Sequence, residues 1–259
     1  MLIAMLTCPY QNWLARLTNS LSLQHGDESH PFHADPYALK DVTIQAFDLF
    51  GGGRVGFMKA QSTIVNSAGE WLPGAVFLRG PSVAMLVILV PDDAAPDASD
   101  DERYVLMTVQ PRIAAGSLAF AELPAGMVDG GSFSGAAAKE IEEELGMKIP
   151  EGELRCLSEM ARREGEAEGD GVGGEGLPLA MYPSAGGCDE FITIYMHEKA
   201  VPRVQLAEWT GRLTGLRDQG ERITLKLVPM RDLWREGARD GKCLAALALW
   251  EGLKREGKL

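Results

Sequence analysis

The sequence predicts an α/β fold, an α/β/α sandwich preceded by a small antiparallel β module. Two observations predict it. Strand-like apolar runs are mixed with two flanking helical segments in non-repeating order, which is typical of an α/β sandwich. The first 79 residues contain three further strand-like runs separated by glycine-containing turns, which is typical of an antiparallel sheet.

The β module begins with a helix over residues 10–23. Residues 42–50 then alternate apolar and polar side chains, as a half-buried strand does. The segment GGGR (51–54) predicts a hairpin turn rather than a phosphate-binding loop, because no helix follows it. Two more strands are predicted over residues 54–65 and 71–79. We therefore predict a boundary after residue 79, with 1–79 as a dimerisation module and 80–259 as the main domain.

The main domain contains six predicted strands and two helices. One helix spans the region around residues 134–146, with Ser134 as its N-cap, and the other spans residues 242–255. Residues 162–176 are rich in Gly and Glu and predict a mobile surface loop. The strands are predicted over residues 83–90, 103–110, 117–123, 154–161, 191–198 and 222–229.

Composition excludes several classes of partner. A net charge of −12 argues against nucleic acid, which needs clustered Lys and Arg. It also means that an anionic substrate requires local arginines or a bound metal to overcome the overall field. The longest apolar run, over residues 83–90, is too short for a membrane span and reads as a buried strand, so no membrane partner is expected.

Cysteine usage favours a cytoplasmic protein. The four cysteines are scattered without metal-ligand spacing or a dense disulfide pattern, so reduced thiols are expected. An organelle location is the alternative, because the first two dozen residues are poor in acids and contain Arg and Ser, as transit peptides do.

The run KEIEEELGM (139–147) contains the most closely spaced candidate functional side chains. Glu140, Glu143 and Glu144 stand at i, i+3 and i+4, which places them on one face of an α-helix, while Glu142 projects away. Such carboxylates repel one another, and a hard divalent cation with oxygen ligands would relieve the repulsion. A solvated acidic face is the alternative reading. An apolar stripe at the same spacing, Ala137, Ile141 and Leu145, predicts the buried face, and Gly146 predicts the helix end.

This run and the preceding loop resemble the Nudix box. Gly126 matches its opening glycine, and residues 139–147 match its second half, with Lys139 in place of Arg. The spacing between the two is one residue short, and the intermediate Glu of the family is absent. In the family this Glu and the Arg brace each other, so Asp129 is a candidate partner for Lys139 here.

The resemblance extends over nearly the whole chain, to the ADP-sugar diphosphatase and ADP-ribose pyrophosphatase branch, and most closely to plant-type ADP-sugar diphosphatases. The matching runs are QNWLARL, LRGPSVAMLVILV, VQPR, ELPAGM, YPSAGGCDE, TGLRDQGERI and LALWEGLKREG. The resemblance implies Mg²⁺-dependent hydrolysis of ADP-glucose or ADP-ribose to AMP and a sugar 1-phosphate, with Mn²⁺ as a substitute ion. The alternatives are a preference for GDP-mannose or another nucleoside-diphosphate-linked substrate, and a catalytically silent Nudix domain that binds a nucleotide sugar.

The same resemblance implies the metal ligands and the catalytic residues. The metal ligands would be the Ala125 carbonyl and the carboxylates of Glu140, Glu143, Glu144 and Glu221. Glu143 would also be catalytic. Gln219 falls where bacterial relatives have the general base, and Gln cannot accept a proton, so the base is assigned to Glu221 or Asp218. A structural loop, capped by Asp218, is the alternative.

Substrate contacts and assembly are also implied by the resemblance. Arg112 and Arg79 would bind the phosphates as bidentate guanidinium groups, with Arg79 reaching the site of the partner subunit in a homodimer. Ser184 and Glu190 would contact the nucleotide sugar. For each of these four residues, an ordinary surface salt bridge or a turn role is the alternative.

Overall fold

A computed structural model describes residues 8–95, 100–128, 132–163, 174–216 and 221–259. The chain divides into two compact units. The first comprises Met1–Pro81 with Arg163–Phe191, and the second comprises Ser82–Arg162 with Ile192–Leu259. The predicted boundary after residue 79 and the dimerisation role of the module stay predictions.

The first unit contains one helix and a four-stranded antiparallel sheet. Strand β2 is the centre of this sheet, since it pairs with the other three strands. Its side chains alternate between buried and less buried positions, as predicted for a strand with one face on a core. The elements are α1 (Cys8–Gly26), β1 (Ala38–Leu49), β2 (Val55–Val65), β3 (Trp71–Leu72) and β4 (Ala75–Leu78).

Two predictions for this unit meet different outcomes. The GGGR turn is confirmed, because Gly51–Gly53 forms one turn of 3₁₀-helix between the antiparallel strands β1 and β2. The single strand predicted over residues 71–79 is wrong, because the chain breaks between β3 and β4 at Pro73 and Gly74. The Gly74 carbonyl accepts a hydrogen bond from the Ser62 amide at 2.8 Å, so close that a β-carbon on Gly74 would collide with the Ser62 backbone.

The loop at residues 184–189 is attached to the edge of this sheet. The Phe77 amide donates to the Gly187 carbonyl at 2.8 Å, and the Asp189 amide donates to the Phe77 carbonyl at 3.2 Å. One Asp189 carboxylate oxygen also accepts hydrogen bonds from the amides of Arg79 (2.7 Å) and Gly80 (3.1 Å). These bonds fix the loop to β4 and to the residues that follow it.

The second unit is built on an eight-stranded mixed sheet. The strand order is β11-β12-β6-β5-β10-β9, with β7 beside β6 and β8 beside β5. Only the β5–β10 pair is parallel among the strands that the structure describes. The strands are β5 (Ser82–Pro91), β6 (Tyr104–Arg112), β7 (Ser117–Glu122), β8 (Ala125–Met127), β9 (Arg155–Cys156), β10 (Ile192–Val201), β11 (Leu213–Thr214) and β12 (Ile223–Pro229).

Helices cover both faces of this sheet. The α-helices are α2 (Phe133–Glu140), α3 (Leu157–Met160), α4 (Arg203–Trp209), α5 (Leu233–Glu236) and α6 (Gly241–Arg255). Helix α2 continues as a π-helical turn, Ile141–Leu145, which ends at Gly146 with φ +68°. Single 3₁₀ turns lie at Asp100–Glu102, Ile113–Ala115, Glu151–Glu153 and Met230–Asp232.

Strand β5 carries the core of the sandwich because its side chains are buried on both faces. One face packs against the predicted apolar stripe of the α2 segment, in a cluster that contains Val83, Met85, Val87, Leu89, Ala137, Ile141 and Leu145. The alternate side chains point the other way, towards the side of the sheet on which α6 contacts β5 and β10. The predicted α/β/α sandwich and the antiparallel module are both confirmed.

Several local predictions for this unit are wrong. Residues 154–161 form the two-residue strand β9 and the short helix α3 instead of one strand, because Leu157 and Ser158 turn inwards on a helical turn. Helices α4 and α5 were not predicted. The N-cap of α2 is Ser132, whose hydroxyl accepts from the Gly135 amide at 3.0 Å, whereas the Ser134 hydroxyl bonds to Glu151. The surface loop predicted over residues 162–176 lies mostly outside the described residues.

No helix in the described ranges is long and apolar enough to cross a bilayer. The thiols of Cys156, Cys188 and Cys243 form no disulfide bonds.

Candidate active site

The candidate site lies in the second unit, where the π-helical turn and the end of α2 contact strand β8. Glu144 is the centre of the site and is only 4% exposed. Its carboxylate accepts hydrogen bonds from the Ala125 amide at 3.1 Å and from the Gln110 side chain at 3.3 Å. Strand β6 supplies Gln110, and β8 supplies Ala125, so two neighbours of β5 hold this carboxylate.

Burial and neighbouring charge both act on Glu144. Burial raises the pKa of its carboxyl group, and the carboxylates of Glu140 and Glu122 raise it further, to about 8. The Ala125 hydrogen bond and the Arg112 guanidinium oppose the rise but do not cancel it. Ionisation of Glu144 is therefore disfavoured first by its burial and then by the two neighbouring carboxylates.

Gly126 provides the space for the second carboxylate. A β-carbon at this position would lie 2.0 Å from a carboxylate oxygen of Glu140 and 1.9 Å from its carboxyl carbon. Only glycine allows the Glu140 side chain to lie against the backbone here. This contact explains in physical terms why the sequence has glycine at this position of the ELPAGM loop.

The other two carboxylates of this turn, Glu142 and Glu143, each pair with a lysine. Glu142 is exposed, as predicted, and pairs with Lys148 at 3.1 Å. The Glu143 carboxylate lies 3.5 Å from Lys139, the i, i+4 contact that helical spacing gives. Its role as a metal ligand stays a prediction. Asp129, the partner proposed for Lys139, lies outside the described residues.

A second group of charges adjoins Glu144, and the sequence did not predict it. Glu122 is buried between the Arg112 guanidinium at 2.5 Å and the Lys242 ammonium at 2.8 Å. Lys242 also contacts Asp240 at 2.9 Å. Asp240 caps α6 through the Lys242 amide (3.1 Å) and accepts from the Leu123 amide (2.8 Å). An Asp directly before a helix is a capping signal, but nothing in the sequence indicates that it contacts a loop 117 residues earlier.

The structure describes only one of the residues considered for the position of the general base. Asp218 and Gln219 lie outside the described residues. Glu221 is exposed, and its carboxylate accepts a hydrogen bond from the Leu216 amide at 3.0 Å. The Glu221 amide in turn donates to the Leu216 carbonyl at 3.2 Å, so these two residues are joined by two hydrogen bonds.

Three of the four predicted substrate residues belong to the first unit. The Arg79 guanidinium lies 3.4 Å from the Glu190 carboxylate and 5.8 Å from the centre of the Phe57 ring. Ser184 is exposed, and its carbonyl accepts the amides of Gly187 and Cys188, which closes the loop as a tight turn. Arg112 belongs to the second unit, where it pairs with Glu122.

The donor set fits a hard divalent cation, although its side chains are not gathered around one point. Within the described ranges no three His, Cys, Asp or Glu side chains converge as a metal cluster. Glu140 and Glu144 come together beside the backbone of Ala125, and all of these groups supply oxygen, the donor that Mg²⁺ and Mn²⁺ prefer. Burial and, after it, the neighbouring carboxylates raise the pKa of Glu144, and a bound cation would favour its charged form.

Comparison with known proteins agrees with this geometry. The NUDIX domain family model matches residues 87–247. The chain belongs to the Nudix hydrolase family. Over 251 residues it is 36% identical to Nudix hydrolase 14, chloroplastic, of Arabidopsis thaliana, covering 96% of this chain and 71% of that protein. Among solved structures it is similar to a crystal structure of an ADP compounds hydrolase, with 18% identity, a TM-score of 0.47, and coverage of 86% of this chain and 99% of that one.

The Nudix match spans the residues of the candidate site in the second unit. Gln110, Glu122, Ala125, Glu140 and Glu144 all lie within residues 87–247. The chain is therefore an enzyme of the Nudix hydrolase family, and the predicted family membership is confirmed.

Proposed function

We propose that this Nudix hydrolase cleaves the pyrophosphate bond of ADP-sugars such as ADP-glucose and ADP-ribose, releasing AMP and a sugar 1-phosphate. The proposal rests chiefly on one observation, the buried Glu144 beside Glu140 at the backbone of Ala125. Cleaving a phosphoanhydride requires neutralised phosphate charge and an activated water. A buried carboxylate whose ionisation a second carboxylate disfavours supports a cation site that serves this chemistry.

Glu140, Glu144 and the Ala125 carbonyl would hold Mg²⁺ or Mn²⁺, with Glu143 and Glu221 as further ligands. When bound, such an ion would neutralise phosphate charge and make water more acidic. Gln110 and the Ala125 amide orient Glu144 through their hydrogen bonds. Gly126 keeps the place of Glu140 open.

The remaining roles are assigned to charged side chains around this centre. Arg112 would contact a phosphate oxygen while Glu122 holds the arginine in place. Glu143, Glu221 and Asp218 are the candidates for accepting the proton of the attacking water. Arg79, Ser184 and Glu190 would contact the nucleotide sugar. A preference for ADP is supported by the motif runs that resemble ADP-sugar diphosphatases.

The test is a panel of nucleotide sugars assayed with Mg²⁺ and, in parallel, with EDTA. We expect ADP-glucose and ADP-ribose to yield AMP and a sugar phosphate, with the rate abolished by EDTA and restored by excess Mg²⁺. A higher kcat/KM for GDP-mannose or a dinucleoside polyphosphate would overturn the ADP preference. Turnover at the full rate in EDTA would overturn the metal assignment.

We propose further that the protein is a homodimer joined through its first unit, with a second copy covering the outer side of this sheet. Most of β1 is exposed although it carries large apolar side chains. Phe47 is 47% exposed, Leu49 58% and Trp71 71%. A four-stranded sheet that leaves such residues in water is suited to pairing with a second copy.

Subunit mixing tests the dimer and the role of Arg79 together. An Arg79→Ala protomer mixed with a Glu144→Gln protomer forms heterodimers in which one site carries both defects and the other neither, if Arg79 serves the neighbouring site. Partial recovery of activity is expected after verified exchange. A monomer by sedimentation at micromolar concentration would overturn the dimer, and no recovery would overturn the sharing of Arg79.

A cytoplasmic location is proposed from the scattered cysteines. The plant relative is named chloroplastic, so the relevant comparison is between a full-length fusion to a fluorescent protein and one that lacks residues 1–24. Equal cytoplasmic signal from both fusions supports the proposal, and organelle import of the full-length fusion alone contradicts it.

A further inference from the structure

Lys242, the second residue of α6, is a buried cation to which the proposed hydrolysis assigns no role. Only 14% of its side chain is exposed. Its ammonium group lies 2.8 Å from Oε2 of Glu122 and 2.9 Å from Oδ1 of Asp240. The Asp240 carboxylate is itself fixed, because it also accepts hydrogen bonds from the amides of Leu123 and Lys242. Two buried carboxylates therefore hold the ammonium group in one place.

The two oxygens of Glu122 contact different cations. Lys242 contacts Oε2, and the Nε group of Arg112 donates to Oε1 at 2.5 Å. Among the described residues, the two terminal Nη groups of Arg112 have no hydrogen-bond partner. The Arg112 side chain is 41% exposed, so a ligand has access to it from solvent. Arg112 is thus held by the protein through Nε and keeps two donors for a ligand.

This single contact depends on the lysine. An arginine and a carboxylate without other partners usually form two parallel hydrogen bonds. Such a bidentate pair would use at least one Nη group of Arg112 and the second oxygen of Glu122. Lys242 contacts that oxygen, so Glu122 contacts Arg112 through Oε1 only. The number of free donors on Arg112 therefore depends on Lys242.

These charged groups adjoin the candidate active site. Burial is the main cause of the raised pKa of Glu144, but the Glu122 charge raises it further and the Arg112 charge opposes the rise. Both charges therefore lie close enough to act on the central carboxylate of the site. A change in the donors that Arg112 offers would consequently be a change at the place where the phosphates are expected to bind.

We propose that Lys242 is a positioning residue for hydrolysis. It restricts Glu122 to one contact with Arg112 and so keeps the Nη groups of the guanidinium available for the oxygens of a substrate phosphate. The proposal rests on the phosphate-binding role proposed for Arg112. It does not depend on the base or the sugar of the substrate, because every candidate substrate contains linked phosphates.

The experiment measures kcat and KM of Lys242→Met in excess Mg²⁺, with the nucleotide sugar that the unaltered protein cleaves best. Glu122 should then pair with Arg112 through both oxygens, and the phosphate should lose a charged donor. We expect KM to rise about tenfold and kcat to change by less than about twofold. A purely structural loss would lower the amount of folded enzyme, and hence the apparent kcat, without changing KM. Lys254→Met, which removes an exposed ion pair with Asp100 from the same helix, should change neither constant.

Further substitutions in the Lys242→Met protein test the cause. When Glu122→Gln is added, the carboxylate that competes for Arg112 is gone, while an amide oxygen still accepts from Nε. KM should therefore recover to within about threefold of the unaltered value, although the cluster has lost two charges. When Arg112→Met is the starting protein, adding Lys242→Met should not raise KM further, because Lys242 acts through Arg112.

Arg112→Lys covers the case in which Lys242→Met does not fold. A lysine has one compact charged group, which Glu122 would occupy, so KM should rise about tenfold although the positive charge is kept. If the unaltered protein cleaves no nucleotide sugar, the proposed function fails. The Kd of inorganic pyrophosphate, measured by calorimetry with Mg²⁺, then replaces KM in the same comparisons.

An unchanged KM in Lys242→Met would overturn the proposal. So would a KM that Glu122→Gln does not lower in the Lys242→Met protein, because Glu122 would then not compete for Arg112. Additive effects of Arg112→Met and Lys242→Met would show that the lysine acts by another route. A KM of Arg112→Lys within about twofold of the unaltered value would contradict the division of the guanidinium group between Glu122 and the substrate.

Discussion

Two buried carboxylates in the second unit, Glu144 and Glu122, differ in how their charge is balanced. The Glu144 side chain accepts hydrogen bonds from one amide and one glutamine, and its nearest charged neighbours include Glu140 and Glu122. Glu122 is equally inaccessible but contacts two cations directly, Arg112 and Lys242.

The pKa shifts record the same difference. Burial lowers the pKa of Lys242, but the charges of Asp240 and Glu122 outweigh it, so the pKa is raised. For Arg112 the Glu122 charge likewise outweighs burial and raises the pKa. For Glu144 burial and the neighbouring carboxylates act in the same direction, and its pKa rises to about 8. The charge of Glu122 is thus balanced by two direct cation contacts, whereas the described contacts of Glu144 are two hydrogen bonds, and a proton or an added cation would favour its buried position.

Of the substitutions that test this difference between Glu144 and Glu122, Glu144→Gln should have the largest effect. We expect kcat/KM for ADP-ribose with Mg²⁺ to fall about a hundredfold or more, roughly 2.7 kcal/mol of barrier, because an amide binds Mg²⁺ far less well than a carboxylate. Circular dichroism should show a retained fold. Glu142→Gln is the matched control on the exposed side of the same turn and should be neutral. Full activity of Glu144→Gln in limiting Mg²⁺ would remove Glu144 from the metal site.

The pH dependence of stability in EDTA sharpens the same point. The folded state holds the Glu144 proton more tightly than the unfolded state, whose pKa is about 4.5. This proton-linked stability is fully present below pH 4.5 and is lost as pH rises through about 8. Calorimetry should therefore show the melting temperature falling over this range.

Glu144→Gln is the control for this titration, since it removes the charge and keeps the shape. At pH 8 in EDTA the variant should melt about 5 °C or more above the unaltered protein, and at pH 5 the two should agree. Mg²⁺ should restore the unaltered protein at pH 8. If the melting temperatures of the two proteins changed with pH in the same way, the raised pKa of Glu144 would be contradicted.

Glu122→Gln should lower stability, because the substitution removes the carboxylate charge that pairs with both Arg112 and Lys242. Lys242 and Arg112 would lose their shared carboxylate in a buried place, and we expect unfolding free energy to fall by about 2 kcal/mol. Urea denaturation measures this. Glu236→Gln, at an exposed pair with Lys226, is the control and should lower stability far less, because solvent screens this pair. Equal losses in both variants would contradict the distinction between buried and exposed pairs.

Gly126→Ala is expected to have the smallest effect of these substitutions. It should change activity and leave stability nearly unchanged. The added β-carbon meets the flexible end of Glu140, so the carboxylate moves while the fold stays. We expect activity to fall about tenfold, roughly 1.4 kcal/mol, with a higher Mg²⁺ requirement and a nearly unchanged melting temperature. Gly152→Ala, where the β-carbon meets nothing, is the matched control. Unchanged Mg²⁺ dependence in Gly126→Ala would contradict the placement of Glu140.

Sequence periodicity predicted the elements whose burial is one-sided or complete. The apolar run of β5, the alternation in β2 and the stripe Ala137, Ile141 and Leu145 all have the predicted environment. It failed over residues 154–161, where a short apolar run fits a strand and a helical turn equally well. It also missed α4 and α5, which have seven and four residues and too few turns to show a period.

The site was predictable only where its residues are neighbours in sequence. Glu140, Glu144 and Gly126 belong to one continuous motif, and the structure brings them together. Gln110, Glu122 and Lys242 reach the same place from different strands and a distant helix, so no local pattern indicates them. Their contacts depend on the sheet order, which spacing along the chain does not give.

The π-helical turn Ile141–Leu145 has a consequence for protein engineering. A π turn contains one residue more per hydrogen-bonded ring than an α turn, and this extra residue helps to set where Glu144 points. Deleting one residue here would make the helix regular and locally more favourable, while rotating the carboxylate out of its place. A design procedure that favours regular helices would therefore select this deletion, and the resulting protein would lose its activity.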